Sequence, residues 1–122
     1  MGDPELLTML AAEAERRSPT IITGIEELAA SGKKDSARIE DLRVEAHGLK
    51  GAASVVGKER LADLARLIEQ FLARCVDSGR INPTGAAAVV TATSAFTEGA
   101  QAAAEGVVEP SSVSDCLDAL SR

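Results

Sequence analysis

Apolar residues recur along the chain at intervals of three and four, the spacing of amphipathic helices. Leu6, Leu7, Leu10, Ala11 and Ala14 form the first such set, with Asp3-Pro4 ahead of them as cap and first-turn proline, and predict a helix to about Arg17. Ser18-Pro19 is expected to break it, with Pro19 opening a second helix that carries Ile21, Ile22, Ile25, Leu28 and Ala29 and ends near Ser31-Gly32. Gly32 to Asp35 reads as a solvated turn, with Asp35 or Ser36 as the next N-cap. From about Ser36 to Val56 the stripe Ile39, Leu42, Ala46, Leu49, Ala53, Val56 marks one buried helix face, and Gly57 ends it. Lys58 to about Ser78 repeats the theme with Leu61, Leu64, Ile68, Phe71 and Cys75, stopped by Gly79. Asn82-Pro83 starts another helix, from Thr84 to about Glu105, with Val89, Ala92, Phe96 and Ala103 on one side and glycines 85, 99 and 106 weakening its ends. A loop from Gly106 to Pro110 precedes a short last helix from Ser112 to Leu120.

Short connections favour antiparallel neighbours. The expected fold is therefore all-α: a single domain over residues 1–122, an antiparallel up-down four-helix bundle with an accessory N-terminal helix and a short C-terminal helix. Composition agrees, because the chain has two Phe, no Trp and no Tyr, and its apolar residues are mainly the strong helix formers Ala and Leu.

Charge narrows the partners. Nineteen acidic against thirteen basic residues leave a net charge of −6, which repels phosphate backbones and argues against nucleic-acid binding. Cys75 lies in an apolar pattern and reads as a small buried hydrophobe. Neither it nor Cys116 forms a metal-ligand spacing with His47. There is no signal peptide and no apolar run of membrane-spanning length, so a cytoplasmic domain without membrane attachment is expected.

The one histidine, His47, stands in the stretch AHGLKGAASVVG. Helical geometry places it about 130° from the centre of the buried stripe, so it points away from the core. Lys50 at i+3, Gly51 at i+4 and Ser54 at i+7 share its side. Each interior glycine costs a helix roughly 1 kcal/mol relative to alanine, and the fold itself requires neither Gly48 nor Gly51. On an exposed face, a bare position marks the close approach of a partner. An incidental surface histidine beside a solvated lysine is the plainer alternative.

His47-Gly48-Leu49-Lys50-Gly51-Ala52-Ala53, with Gly57 ten residues after the histidine, resembles the motif of histidine-containing phosphotransfer (HPt) domains. The following Arg60 to Glu69 is similar to the helix that packs against the histidine helix in that family, and the resemblance is specific over roughly residues 39 to 72. It implies a relay role: accepting a phosphoryl group from a phospho-aspartyl receiver domain or a histidine kinase, and passing it to the aspartate of a response regulator, without turnover of its own. It implies His47 as phospho-acceptor, Lys50 as the cation offsetting phosphoryl charge, and Gly51 as clearance for the receiver. Glu69, twenty-two residues after His47, becomes the candidate to accept a hydrogen bond from Nδ1–H and leave Nε2 as nucleophile. Its alternative is an ordinary flank glutamate paired with Arg66, and Gln70 points further outward. Gly48 departs from the side chain, such as Thr or Ser, that the family often has there. The receiver would bring the Mg²⁺, as no acidic cluster of this chain reads as a metal site. A modest apolar docking patch is expected around His47, with Val55, Ala52 and one or more of Leu6, Leu7 and Leu10, on a monomer.

Three rival readings remain. The chain could be the N-terminal HPt segment of a larger chemotaxis-type histidine kinase, although Met1 and the tail from Ser111 to Arg122 fit a complete small protein better. It could be a helical adaptor whose histidine is incidental. A hydrolase lacks a nucleophile, since Ser54 is roughly 10 Å along the helix from His47.

Overall fold

A computed structural model describes residues 3–122. Among these, every regular element is a helix: α1 (Pro4–Ser31), α2 (Ser36–Val55), α3 (Glu59–Ser78), α4 (Pro83–Glu105) and α5 (Ser111–Leu120). Polar caps set the starts of α1, α2 and α4. The Asp3 carboxylate accepts from the Glu5 N–H, Asp35 from Arg38, and Asn82 from Thr84. The turn from α2 to α3 needs Gly57 in the left-handed region (φ 74°), which lets the Lys58 N–H close on the Ala53 carbonyl at 3.0 Å.

α1 packs on α2 and α4, α2 on α3, and α3 on α4, while α5 covers α3 and α4. With short turns between successive helices, this is the up-down four-helix bundle plus a short C-terminal helix. One cluster fills its centre, with Leu10, Ile21, Ile25, Ile39, Leu49, Leu64, Ile68, Leu72, Val89, Phe96 and Val113 fully buried. Cys75 and Cys116 are buried as free thiols. Among the described residues, no helix is long and apolar enough to cross a membrane.

The expected break at Ser18-Pro19 does not occur. α1 runs through Pro19 as one helix, so the accessory N-terminal helix of the sequence reading is the first half of a bundle helix. An interior proline loses an N–H and crowds the carbonyl four residues back, at about 3 kcal/mol. Against that stands one continuous buried face, Leu10, Ala14, Ser18, Ile21 and Ile25. Each buried Leu or Ile contributes about 1.5–3 kcal/mol, so turning the chain at Pro19 would forfeit more than it relieved. Pro19 itself faces solvent, and Thr97 of α4 donates to the Ser18 hydroxyl at 2.8 Å beside it. Gly99, expected to weaken the end of α4, is buried. A Cβ there would come within 2.6 Å of Leu61 and 3.0 Å of Val113, so its bareness lets α3 and α5 close on α4.

Candidate functional site

The buried stripe of α2 fixes which way its other residues face. Ala46 and Leu49 are fully buried on either side of His47, and His47 leaves 61% of its side-chain surface in solvent. On α3, buried Ile68 and Leu72 hold Glu69 at the border of the core, facing α2, with only 14% of its side chain exposed. The two helices thus bring together residues far apart in sequence around one carboxylate.

Glu69 receives three cationic or proton-bearing groups from successive turns of α2. His47 Nδ1 lies 3.3 Å from Oε1 and 3.2 Å from Oε2. Lys50 Nζ lies 3.4 Å from Oε1. Arg43 Nη1 donates to Oε2 at 2.7 Å, and its Nε is paired with Glu40 on the preceding turn. Arg66, the alternative partner of Glu69, instead lies against Asp63 at 3.8 Å, and Gln70 is exposed. An ionised carboxylate only accepts hydrogen bonds, so in this contact Nδ1 carries the proton. In the neutral ring the lone pair is then on Nε2. Burial pushes the Glu69 carboxyl up, but the His47 hydrogen bond and the charge and hydrogen bond of Lys50 outweigh it, and the group is held below its ordinary value.

Toward the C-terminal end of α2, the flank that faces α1 is apolar. Gly51 is exposed, and a Cβ there would meet nothing within 4 Å. It floors a groove of about 210 Å³ lined by Leu6, Met9, Leu10, Ala52, Val55 and Val56. Val55 is 74% exposed and Met9 62%. Of the three leucines considered for this surface, Leu6 and Leu10 line the groove, although Leu10 is almost wholly buried, and Leu7 lies on another side with Lys58 and Ala103. Val44, one turn before His47, is a further exposed apolar residue.

Gly48 has a local reason. The Arg17 guanidinium of α1 lies across it, 2.5 Å from where a Cβ would stand, and donates to Glu13 at 2.8 Å and to Glu45 at 3.0 Å. The glycine lets this ion-paired arginine lie flat on α2 next to His47.

Arg43, Met9, Val44 and Arg17 were not singled out from the sequence. Arg43 had a signal, since 43, 47 and 50 are spaced four and three and so share a flank of α2. Met9 had none, because it lies off the apolar stripe of its own helix. Among the described residues, no group of three or more His, Cys, Asp or Glu is placed to hold a metal ion.

Comparison with known proteins adds the family. The family model described as Hpt domain matches residues 5–122. No curated protein matches the chain. Among solved structures, the phosphorylated P1 domain of CheA3 in complex with CheY6 from R. sphaeroides has a similar fold, with a TM-score of 0.82 over 98% of this chain and 94% of that chain at 18% identity. That likeness speaks for the fold and the family match for the lineage: the chain belongs to the Hpt domain family and is a histidine phosphotransfer domain.

Proposed function

We propose that His47 accepts a phosphoryl group on Nε2 from the aspartyl phosphate of a receiver domain, or from a histidine kinase, and returns it to the aspartate of a response-regulator receiver. The observation that carries this reading is an exposed imidazole whose Nδ1 is held by a mostly buried carboxylate, with a lysine on the same flank.

The chemistry follows from that tautomer. The Nε2 lone pair attacks phosphorus, the N–P bond forms, and the P–O bond to the donor aspartate breaks, with its electron pair leaving on the carboxylate. No proton has to leave Nε2. The ring, still protonated at Nδ1, gains a formal positive charge that Glu69 opposes. In the return step the electron pair of the N–P bond goes back to Nε2. The leaving group is then a neutral imidazole, far better than the imidazolate that a bare Nδ1 would require. Lys50, one turn along on the same flank, offsets the charge of the phosphoryl group as it moves.

The receiver docks over Gly51 and the Met9–Val55 groove, where an apolar patch rimmed by charge meets a helix with no side chain in the way. It supplies the Mg²⁺ for the transfer. In this reading the domain is a cytoplasmic monomeric carrier, charged and discharged by its partners, with no turnover of its own. The experiment is to mix the protein with phosphorylated receiver domains and follow acid-labile label onto wild type and His47→Gln. Label on wild type alone supports the relay; equal label on the variant overturns it.

A second reading, that this is the phosphotransfer segment of a chemotaxis-type kinase, is favoured by the similar structure being a P1 domain of CheA3. Label arriving from a kinase ATPase domain and ATP, with no receiver present, would support it.

A further inference from the structure

The shortest contact of Glu69 among its three partners is with Arg43, at 2.7 Å against 3.2 to 3.4 Å for His47 and Lys50. Arg43 lies one turn before His47, is 30% exposed and is steadied from behind by Glu40. Its side-chain hydrogen bonds go to Glu40 and Glu69. Its geometry bears on the reaction through Glu69 alone.

Glu69 has to do two things at once. It must hold the Nδ1 proton while the ring becomes cationic, and it must release Lys50 toward the phosphoryl group. A carboxylate whose other partners were only His47 and Lys50 would keep the lysine, because it would be the sole full cation available to a mostly buried anion. Arg43 removes that conflict. Its planar fork holds Oε2 in a fixed direction and balances the carboxylate charge whether Lys50 is present or gone.

We propose that Arg43 is a positioning residue for phosphoryl transfer: by anchoring Glu69 beneath Nδ1, it fixes the His47 tautomer and frees Lys50 to follow the phosphoryl group. The proposal rests on His47 being the phospho-acceptor. Bonds form and break as in the transfer already described, and Arg43 neither gives nor takes a proton.

The charges facing His47 define what its loss should change. α2 packs only on α1 and α3. α2 contributes Arg43 and Lys50, α3 contributes Glu69, and α1 contributes Arg17, which is already paired with Glu13 and Glu45. Removing the Arg43 guanidinium takes away the shortest contact of Glu69, so the carboxylate is free to swing away from Nδ1.

The test compares wild type, Arg43→Gln, Arg43→Lys and His47→Gln, each charged by the same phosphorylated receiver. Arg43→Gln is expected to slow transfer about tenfold, with the receiver Kd and the melting temperature close to wild type. The ¹⁵N signals of its imidazole should report a mixture of tautomers in place of Nδ1–H. Arg43→Lys should recover part of the rate, since it restores the charge and not the fork. A wild-type rate and tautomer in Arg43→Gln would overturn the proposal. So would equal rate loss in both Arg43 variants with an unmoved tautomer signal, which is the mark of a packing role. If His47→Gln still takes label, the phospho-acceptor assignment itself fails, an outcome distinct from either.

Discussion

The two flanks of α2's outer face are made of opposite materials. Toward α3, Arg43, His47 and Lys50 gather on the half-buried Glu69 carboxylate. Toward α1, past the ion-paired Arg17 that lies over Gly48, the bare Gly51 and the Met9–Val55 groove offer almost nothing but carbon. One flank is suited to holding a proton and a charge in fixed places. The other is suited to being covered. In the proposed relay, His47 lies between a network that tunes it and a surface that a partner covers, so that one docking event delivers the phosphoryl group and excludes water from the polar flank. The division teaches that the imidazole's chemistry is set across the α2–α3 seam and its access across the α1–α2 seam.

Substitutions can separate the two. Glu69→Ala should have the largest effect, leaving His47 and Lys50 without their anion and lowering the transfer rate by roughly 100-fold in a label-transfer time course, with receiver binding retained. Gly51→Leu attacks the other flank. It should melt at or above the wild-type temperature while transfer collapses, because it fills the clearance without touching the core. Gly51→Ala should raise unfolding stability by about 1 kcal/mol in urea titrations, since a Cβ there meets nothing. Met9→Glu or Val55→Glu should weaken receiver binding several-fold in calorimetry, yet leave the His47 tautomer unchanged. If either changed the tautomer, the flanks would not be independent.

A smaller effect concerns pH. Glu69 is held below its ordinary value of 4.5, so it contributes stability that is fully present above pH 4.5 and is lost as pH falls through its folded-state value. Glu69→Gln should therefore flatten the fall in melting temperature below pH 4.5. What remains belongs in part to Glu13, which its hydrogen bond to Arg17 also holds low. Smallest of all, Gly48→Ala should change stability by less than about 1 kcal/mol. It gains helix propensity and displaces the flexible end of Arg17 from its pairs with Glu13 and Glu45.

What could be read from the chain follows the range of each interaction. The stripe from Ile39 to Val56 fixed the rotation of α2, and with it the outward direction of His47, because both are properties of one helix. Glu69 was reachable as a candidate because it lies at the edge of the Ile68 stripe. Its partners were not all reachable: that Arg43 and not Arg66 would pair with it depends on how α2 and α3 slide against each other. The reading at Pro19 failed for the same kind of reason. Local chemistry favours a break there, and the packing of Ala14, Ser18 and Ile21 on the rest of the bundle overrides it. Gly48 has no reason within its own helix and is the bed of Arg17, a residue of another helix.

The central claim is that Glu69 holds Nδ1 so that Nε2 is the nucleophile. The most direct measurement is the identity of the phosphohistidine isomer, by ³¹P and ¹⁵N NMR of the protein charged by a phosphorylated receiver. The account predicts phosphorus bonded to Nε2 of His47, with the proton still on Nδ1. Phosphorus on Nδ1, or on any other residue, would contradict it.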